Sequence, residues 1–360
     1  MSPLQRINVN KKRAFYSLTL PRRSRYKGTH FTSTFDSKKG LTAQRPLMNT
    51  SITIGNCTLK NPVTVASGTA GYGEELDRFI DISRLGGIFT KGLSLEPRLG
   101  NRGNRVLETP SGLLNSIGLE NVGLEKFLEE KLPFLIKKGA CAIPNVAGHS
   151  EDENSELCRI LSGTEGIDIL ELNVSCPNVK EGGMAFGTDL AVFTRLLEKV
   201  RKVTDCSLIV KLSPNVTNIV PFAVRAEEVG ADAVSAINTY LGMKIDTKQR
   251  RPHFERKVAG LSGPAIRPLA IRAVYQIYEQ VNIPIIGLGG IANLEDSLEF
   301  IMAGASAISV GTMNLVDPTL PVKIIDELEA YISKEKTKDI KELIGAAHDS
   351  ELKDGESCGV

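Results

Sequence analysis

A cysteine stands just beyond an apolar run in the stretch E-L-N-V-S-C-P-N, residues 171–178. The first half of this stretch has the composition of a buried strand, whereas Pro177 cannot continue a central strand because it lacks a backbone N–H. Cys176 therefore lies where a strand ends. A thiol at this point could be a structural cysteine, a metal ligand, an oxidisable nucleophile or a proton-transfer group.

The β-rich runs also carry, at or near their ends, residues that can bind ligands. Lys91 and Lys211 supply cations, and Asn145, Asn173 and Asn238 supply amides. Small residues close three further runs, at Ser67-Gly68, Gly289-Gly290 and Gly311-Thr312. Small residues let backbone N–H groups approach an anion, so the last two of these sites favour a phosphorylated cofactor or substrate.

The elements that must position these residues follow a repeating pattern of short β-rich runs and longer amphipathic stretches. The runs are residues 63–66, 87–91, 141–146, 167–174, 207–213, 233–238, 283–289 and 307–312. Apolar residues recur at helical spacing between them, as in 124–138 and 190–200. Eight β-then-α units predict an α/β fold, the (β/α)8 TIM barrel, whose function lies at the C-terminal strand ends. A doubly wound sheet would be indicated by G-x-G-x-x-G after the first run, which is missing.

The segment before the barrel differs in composition from the rest of the chain. Residues 1–47 hold eleven Lys/Arg and one acid, Asp36, and lack apolar periodicity. We interpret them as a disordered basic extension, with an organellar transit peptide or an upstream translated stretch as alternatives. Residues 48–347 form the predicted barrel domain, which opens with a hairpin around Gly55-Asn56, and residues 348–360 are predicted to be a frayed tail.

Composition disfavours several classes of protein. Residues 48–360 carry 33 basic and 41 acidic residues, a net charge of −8 that disfavours nucleic-acid binding. The sequence lacks the run of about 18 apolar residues that a membrane helix needs. Its six cysteines form neither a C-x-x-C pair nor a metal-ligand spacing, so we expect reduced thiols, no metal site and a cytoplasmic protein.

Two lysines, several amides and one thiol suit flavin chemistry. A cation stabilises an anionic reduced ring, amides bind the ring and a planar polar substrate, and a thiol can remove a proton from a carbon acid. A phosphosugar aldolase or isomerase would use Lys91 or Lys211 as a Schiff-base lysine, but it would leave the thiol and the amides unexplained. A non-enzymatic barrel would not need polar residues at nearly every strand end.

Ten short motifs, in order, resemble those of class 1 dihydroorotate dehydrogenases. They are S-G-T (67–69), T-K-G (90–92), N-S-I-G-L (115–119), N-V-A-G (145–148), E-L-N-V-S-C-P-N (171–178), V-K-L-S-P (210–214), I-N-T (237–239), L-S-G-P-A (261–265), G-L-G-G-I (287–291) and V-G-T (310–312). The resemblance covers about residues 50–347. The segment L-G-M-K-I-D-T-K-Q-R-R-P (241–252) and the ending I-G-A-A-H resemble the B-type catalytic subunit, whereas the basic extension departs from the family pattern.

The resemblance implies FMN-dependent oxidation of (S)-dihydroorotate to orotate in pyrimidine (UMP) biosynthesis. Cys176 would remove the C5 proton while the C6 hydride passes to FMN, and the turn Glu181-Gly182-Gly183 predicts a mobile loop around this cysteine. The implied FMN contacts are Ser67, Lys91, Gly92, Asn145, Asn173, Lys211, Ile237, Gly263, Gly289, Gly290, Gly311 and Thr312. The implied dihydroorotate contacts are Lys91, Asn115, Ser116, Ile117, Gly118, Leu119, Asn173, Asn238 and Thr239.

For a B-type enzyme the resemblance also implies partners. The chain would form a homodimer and assemble into a heterotetramer with a subunit that holds FAD and a 2Fe–2S cluster and passes electrons to NAD+. This chain lacks a dinucleotide fingerprint and a cysteine set for a cluster, which fits such a complex and a fumarate-linked A-type enzyme equally well. A dihydropyrimidine dehydrogenase-like flavoprotein is a further alternative. A tRNA dihydrouridine synthase also uses a cysteine on a barrel, but the charge of −8 disfavours RNA binding.

Overall fold

Short strands alternate with amphipathic helices in the computed structural model, which describes residues 49–175, 177–178 and 184–348. The strands are β1 (Ile52–Ile54), β2 (Cys57–Leu59), β3 (Val63–Val65), β4 (Gly87–Phe89), β5 (Val106–Thr109), β6 (Gly112–Asn115), β7 (Ala142–Ile143), β8 (Asn145–Val146), β9 (Ile169–Asn173), β10 (Pro177–Asn178), β11 (Met184–Ala185), β12 (Ser207–Lys211), β13 (Ala233–Ala236), β14 (Tyr240–Met243), β15 (Ile245–Asp246), β16 (Arg251–Pro252), β17 (Val258–Ser262), β18 (Ile285–Gly287) and β19 (Ala307–Val310).

The helices form the outer layer around the strands. They are α1 (Leu124–Lys126), α2 (Leu132–Lys137), α3 (Glu151–Ser162), α4 (Leu190–Arg201), α5 (Val220–Glu228), α6 (Arg267–Tyr278), α7 (Leu294–Met302), α8 (Met313–Val316) and α9 (Leu320–Glu335). A π-helical turn, Phe127–Lys131, joins α1 to α2. Among the described residues, each helix is too short or too polar to cross a membrane.

Parallel strands close into a barrel with eight strand positions, or staves. Their hydrogen-bonded order is β7-β4-β3-β19-β18-β13-β12-β9-β8. β7 and β8 are two halves of one stave, interrupted at Pro144, so the order begins and ends on the same stave. The predicted (β/α)8 barrel is therefore confirmed, and each of the eight predicted runs contains one observed stave.

The outer layer forms because each helix presents one apolar stripe to the barrel. In α4 the stripe consists of Val192, Phe193, Leu196, Leu197 and Val200, which are all buried. The side chain of Asp189 begins this helix by accepting hydrogen bonds from the N–H groups at positions 191 and 192. Apolar residues at this spacing bury one helix face against the staves and leave the other face polar.

The connection from β3 to β4 differs from the expected β-then-α unit. It contains two 3-10 turns, Leu76–Arg78 and Ile82–Arg84, where an α-helix was expected. Gly68, Gly71 and Gly73 take positive φ angles before these turns. Glycine adopts such angles at little cost but weakens a helix, so the remaining residues are too few to propagate one.

An antiparallel sheet that the sequence pattern did not predict stands at the C-terminal end of the barrel. Its order is β14-β17-β6-β5. The chain contributes β5 and β6 after β4, enters the sheet again through β14 shortly after β13, and leaves it through β17 toward Gly263 and α6. Leu114, Phe254 and Ala259 form a small core on one of its faces. Because β6 belongs to this sheet, the sheet carries Asn115 to the mouth of the barrel.

The predicted hairpin around Gly55-Asn56 is present as β1 and β2, paired in register from Ile52 to Leu59. The N–H of Asn56 donates to the hydroxyl of Ser207, the first residue of β12, at 3.0 Å. The hairpin therefore lies at the N-terminal end of the barrel, opposite the strand ends where function is expected.

Candidate active site

The polar residues predicted at the run ends meet at the C-terminal end of the barrel. Asn173 and Lys211 are the last residues of β9 and β12 and lie opposite each other in register. Ser67 follows β3, and Lys91 follows β4. Because all staves are parallel, their C-terminal ends share one rim, as the barrel prediction requires.

A buried carboxylate organises the floor of this site. Glu171 is 1% exposed and accepts hydrogen bonds from Lys211 Nζ at 3.4 Å and from Ser235 Oγ at 2.7 Å. Asn145 Nδ2 also donates to Glu171. An unpaired buried charge is costly, so Glu171 and Lys211 each depend on the other. Glu171 thereby orients Lys211 and Asn145, two of the predicted flavin contacts.

Amide side chains extend this network toward the segment that precedes Cys176. Asn173 Nδ2 lies 3.5 Å from Asn145 Oδ1. Asn238 Nδ2 donates to Asn173 Oδ1 at 3.3 Å and to Ser175 Oγ at 2.9 Å. The structure therefore brings together three asparagines that lie far apart in the sequence and links them to the residue before Cys176.

Cys176 lies outside the residues that the structure describes, as does the turn Glu181-Gly182-Gly183. The predicted role of the thiol therefore stays a prediction. Asn173 ends β9 three residues earlier, and β10 begins at Pro177 and pairs with β11 outside the barrel sheet. The barrel strand thus ends before Cys176, as the sequence indicated.

The loop Asn115–Leu119 begins at the last residue of β6 and is held by two asparagines that the sequence reasoning missed. Asn101 Nδ2 donates to the Ser116 carbonyl at 3.0 Å, and Asn121 Nδ2 donates to the Leu119 carbonyl at 2.8 Å. Asn121 is buried. These bonds fix both halves of the loop to the rest of the protein.

Glycines and hydroxyls form a close-packed cradle beside the ends of β18 and β19. Gly263 and Gly290 take φ angles of 97° and 87°. A Cβ atom on Gly290 would lie 2.7 Å from the Gly263 carbonyl oxygen. The hydroxyls of Ser262 and Thr312 are 2.7 Å apart in the same region. Backbone groups and small hydroxyls therefore line this corner, a set suited to a phosphate.

The other predicted contacts lie on the same rim. Ile237 is buried, follows a cis peptide bond from Ala236, and donates its N–H to the Leu288 carbonyl at 2.9 Å. A Cβ atom on Gly289 would lie 3.6 Å from the Ile237 side chain. The remaining placements are Gly92 beside Asn145, Gly311 beside Ala66, and Asn115 with Thr239 beside Gly260.

Lys91, predicted to contact both flavin and substrate, is held at the rim by an acid. Its Nζ lies 3.1 Å from Glu120 Oε2, and Arg105 Nη1 lies 3.1 Å from the same oxygen. The hydrogen bond from Lys91, followed by the charges of both cations, holds the pKa of Glu120 below its usual range. Glu120 therefore stays ionised near neutral pH.

Sequence similarity to known proteins extends over most of the chain. A family model described as dihydroorotate dehydrogenase matches residues 49–332. The chain belongs to the dihydroorotate dehydrogenase family. It is 50% identical over 301 residues to the dihydroorotate dehydrogenase B (NAD(+)) catalytic subunit of Desulforamulus reducens, covering 84% of this chain and 99% of that protein.

Two further dihydroorotate dehydrogenases bear on the subtype. A B-type (NAD(+)) catalytic subunit from Parabacteroides distasonis is 51% identical over 295 residues, covering 82% of this chain and 97% of the relative. A putative A-type (fumarate) enzyme from Aquifex aeolicus is 49% identical over 303 residues, covering 84% and 99%. The family prediction is confirmed, and relatives of both types match the chain at nearly equal identity.

Glu171 is a further residue of this candidate site that the sequence reasoning missed. A signal was present, because an acid interrupts the apolar run I-D-I-L-E-L-N-V. Glu171 lies two residues before Asn173, so the two side chains share one face of β9. That alternation places the acid on the same face of the strand as Asn173, a predicted ligand contact.

Proposed function

We propose that this chain is a catalytic subunit that oxidises (S)-dihydroorotate to orotate with FMN, in pyrimidine biosynthesis. Membership of the dihydroorotate dehydrogenase family supports the reaction. The observation that carries the proposal is the polar network at the barrel mouth, which joins Lys211, Asn145, Asn173 and Asn238. A barrel that served only as a scaffold would gain little from burying the amide of Asn145 and the ammonium group of Lys211.

The residues at the rim fit FMN. The cradle of Gly263, Gly290 and Thr312 offers backbone and hydroxyl donors for the phosphate, and buried Lys211 offers a cation for the ring. When bound, FMN would supply the hydride acceptor for C6 of dihydroorotate. The remaining contacts that we propose for it are Ser67, Lys91, Gly92, Asn145, Asn173, Ile237, Gly289 and Gly311.

The chain's own residues would hold the substrate and move its proton. The loop Asn115–Leu119 and the amides of Asn173 and Asn238 would bind the planar polar ring, with Lys91 and Thr239 as further contacts. Cys176 would remove the C5 proton as a thiolate, since a Cys pKa of about 8.5 needs little lowering to act near neutrality. The bond from Asn238 to Ser175 ties the chain next to Cys176 to the same amides.

Gly263→Ala is expected to reduce the FMN content of the purified protein by about tenfold or more, because the cradle must deform. The new Cβ would lie 2.9 Å from Gly112 Cα, at a φ of 97°. Gly139→Ala is the matched control, since Gly139 also has a positive φ, 67°, but open space around its Cβ position. The ratio of flavin absorbance to protein concentration gives the FMN content of each variant. Equal flavin content in the two variants would contradict the phosphate assignment.

We infer that electrons leave through a partner subunit with FAD and a 2Fe–2S cluster and reach NAD+. Relatives named as B-type (NAD(+)) catalytic subunits, and the B-like segment 241–252, support this acceptor. The test compares dihydroorotate oxidation with NAD+ and with fumarate, with and without a co-purified partner. We expect NAD+ reduction only with the partner. Rapid turnover with fumarate by the chain alone would reassign it to the A-type.

We also propose that the chain forms a homodimer. The interface would be the exposed face of the antiparallel sheet. Leu241 and Met243 are 68% and 50% exposed, and Val258 lies opposite Met243 in register. Adjacent exposed apolar side chains of this kind indicate an interface. Leu241→Asp with Met243→Asp should yield a monomer by light scattering, whereas Ile136→Asp on α2 should not change the mass. An unchanged dimer in the double variant would place the interface elsewhere.

A further inference from the structure

Three charged residues at the rim form a cluster with more positive than negative charge. Lys91 Nζ and Arg105 Nη1 each lie 3.1 Å from one oxygen, Oε2 of Glu120. Two cations share a single carboxylate, so the cluster carries a net charge of +1. A ligand with one carboxylate would neutralise it.

Packing holds this cluster beside the loop Asn115–Leu119. Glu120 directly follows the loop, and the Arg105 carbonyl accepts a hydrogen bond from the Ser116 N–H at 2.7 Å. A Cβ atom on Gly100 would lie 2.9 Å from Glu120 Cβ and 3.2 Å from Arg105 Nη1. The backbone at Gly100 therefore packs close to the side chains of both Arg105 and Glu120.

The two lysines of the site differ in how firmly they are held. The side chains of Lys91 and Glu120 are 26% and 39% exposed, whereas those of Lys211 and Glu171 are 6% and 1% exposed. Ion pairs in contact with water contribute little stability, because solvent screens them. A carboxylate on a ligand can therefore replace Glu120 at Lys91, but not Glu171 at Lys211.

We propose that Glu120 is a positioning residue that competes with the substrate carboxylate for Lys91, while Arg105 retains Glu120 when the substrate displaces it. This inference rests on the proposed function, in which Lys91 contacts dihydroorotate. The exchange neutralises the cluster only if the ligand carries a carboxylate. The cluster thereby sets the affinity for carboxylated pyrimidines and gives no advantage to uncharged dihydropyrimidines.

Charge-removing substitutions at Glu120 and Arg105 have opposite expected effects. Glu120→Gln removes the competing anion, leaves a charge of +2, and should tighten orotate binding by roughly three- to fivefold. Arg105→Gln leaves Glu120 to neutralise Lys91 and should weaken binding by roughly the same factor. The double variant returns to +1 and should lie near the wild type, as should Glu120→Asp, which keeps the carboxylate.

Titration of orotate into the flavin-loaded protein tests this, with Kd read from the flavin difference spectrum at low and high salt. The differences between variants should shrink at high salt, because screening weakens exposed charges. Glu156→Gln and Arg159→Gln are the matched controls, since these residues form an exposed ion pair on α3 at 2.7 Å. Their Kd values should equal that of the wild type.

Two results separate the inference from the proposed function. A role of Glu120 and Arg105 in loop structure alone would weaken orotate binding in both single variants, and either that outcome or unchanged Kd values would overturn the inference. A wild-type protein that holds flavin but does not bind orotate would instead overturn the proposed function.

Discussion

Cys176→Ala is expected to leave FMN bound and to lower dihydroorotate turnover at neutral pH by about 10²- to 10⁴-fold, the usual contribution of a positioned general base. The C5 proton would lose its acceptor, while the proposed flavin contacts, none of which is Cys176, would be unchanged. Steady-state oxidation with an artificial electron acceptor measures turnover, and visible absorbance measures flavin content.

Two further variants make this result specific. In Cys176→Ser the hydroxyl is a much weaker acid than a thiol, so turnover should be low near neutrality and should rise with pH. Cys206→Ala removes a partly buried cysteine that precedes the first residue of β12. It lies at the opposite end of the barrel from the C-terminal strand ends, so this variant should keep full turnover. Full activity in Cys176→Ala would mean that another group accepts the proton.

The second large effect concerns stability. Glu171→Leu should lower the free energy of unfolding by about 3–5 kcal/mol, because Lys211 would become an unpaired buried cation. Asn145 and Ser235 would lose their acceptor as well. Urea unfolding followed by circular dichroism measures the change, and the variant should also purify with less flavin, since Lys211 and Asn145 lose their orientation.

Paired substitutions test whether the loss of stability comes from the unpaired charge of Lys211 or from the change in side-chain volume at position 171. The double variant Glu171→Leu with Lys211→Met removes both charges and should regain much of the lost stability, because a buried ion pair is often replaceable by apolar residues. Glu156→Leu breaks an exposed pair with Arg159 and should cost no more than about 1 kcal/mol. Wild-type stability in Glu171→Leu would contradict the organising role of this carboxylate.

The barrel was predictable because its signals are local and repeated. Each stave is a short β-rich run, and helices such as α4 carry an apolar stripe at helical spacing that survives in the sequence alone. The rim was predictable for the same reason. Asn173 and Lys211 stand near the ends of their runs, and parallel topology then brings such residues to one edge.

The antiparallel sheet was not predictable, because its pairing joins distant segments. Tyr240–Met243 pairs with Val258–Ser262, which in turn pairs with Gly112–Asn115 far earlier in the chain. Glycines interrupt these strands and weaken their local pattern. The ion-pair partners of charged residues were not predictable for a similar reason. No spacing rule links Lys91 to Glu120, since loop packing alone brings them together.

Some assignments came from family resemblance and not from residue chemistry. The loop N-S-I-G-L has no local feature that marks it as a binding loop, and its cross-links to Asn101 and Asn121 are visible only in the fold. The choice between dihydroorotate and an uncharged dihydropyrimidine likewise depends on ligand contacts that a strand pattern does not contain.

Anaerobic mixing of the purified chain with its substrate tests the central claim most directly. Dihydroorotate should bleach the visible absorbance of the bound flavin within the turnover time and release one orotate per flavin, whereas dihydrouracil, which lacks the carboxylate, should leave the spectrum unchanged. Bleaching by dihydrouracil in preference to dihydroorotate, or a colourless protein in which borohydride traps a lysine adduct, would contradict the assignment.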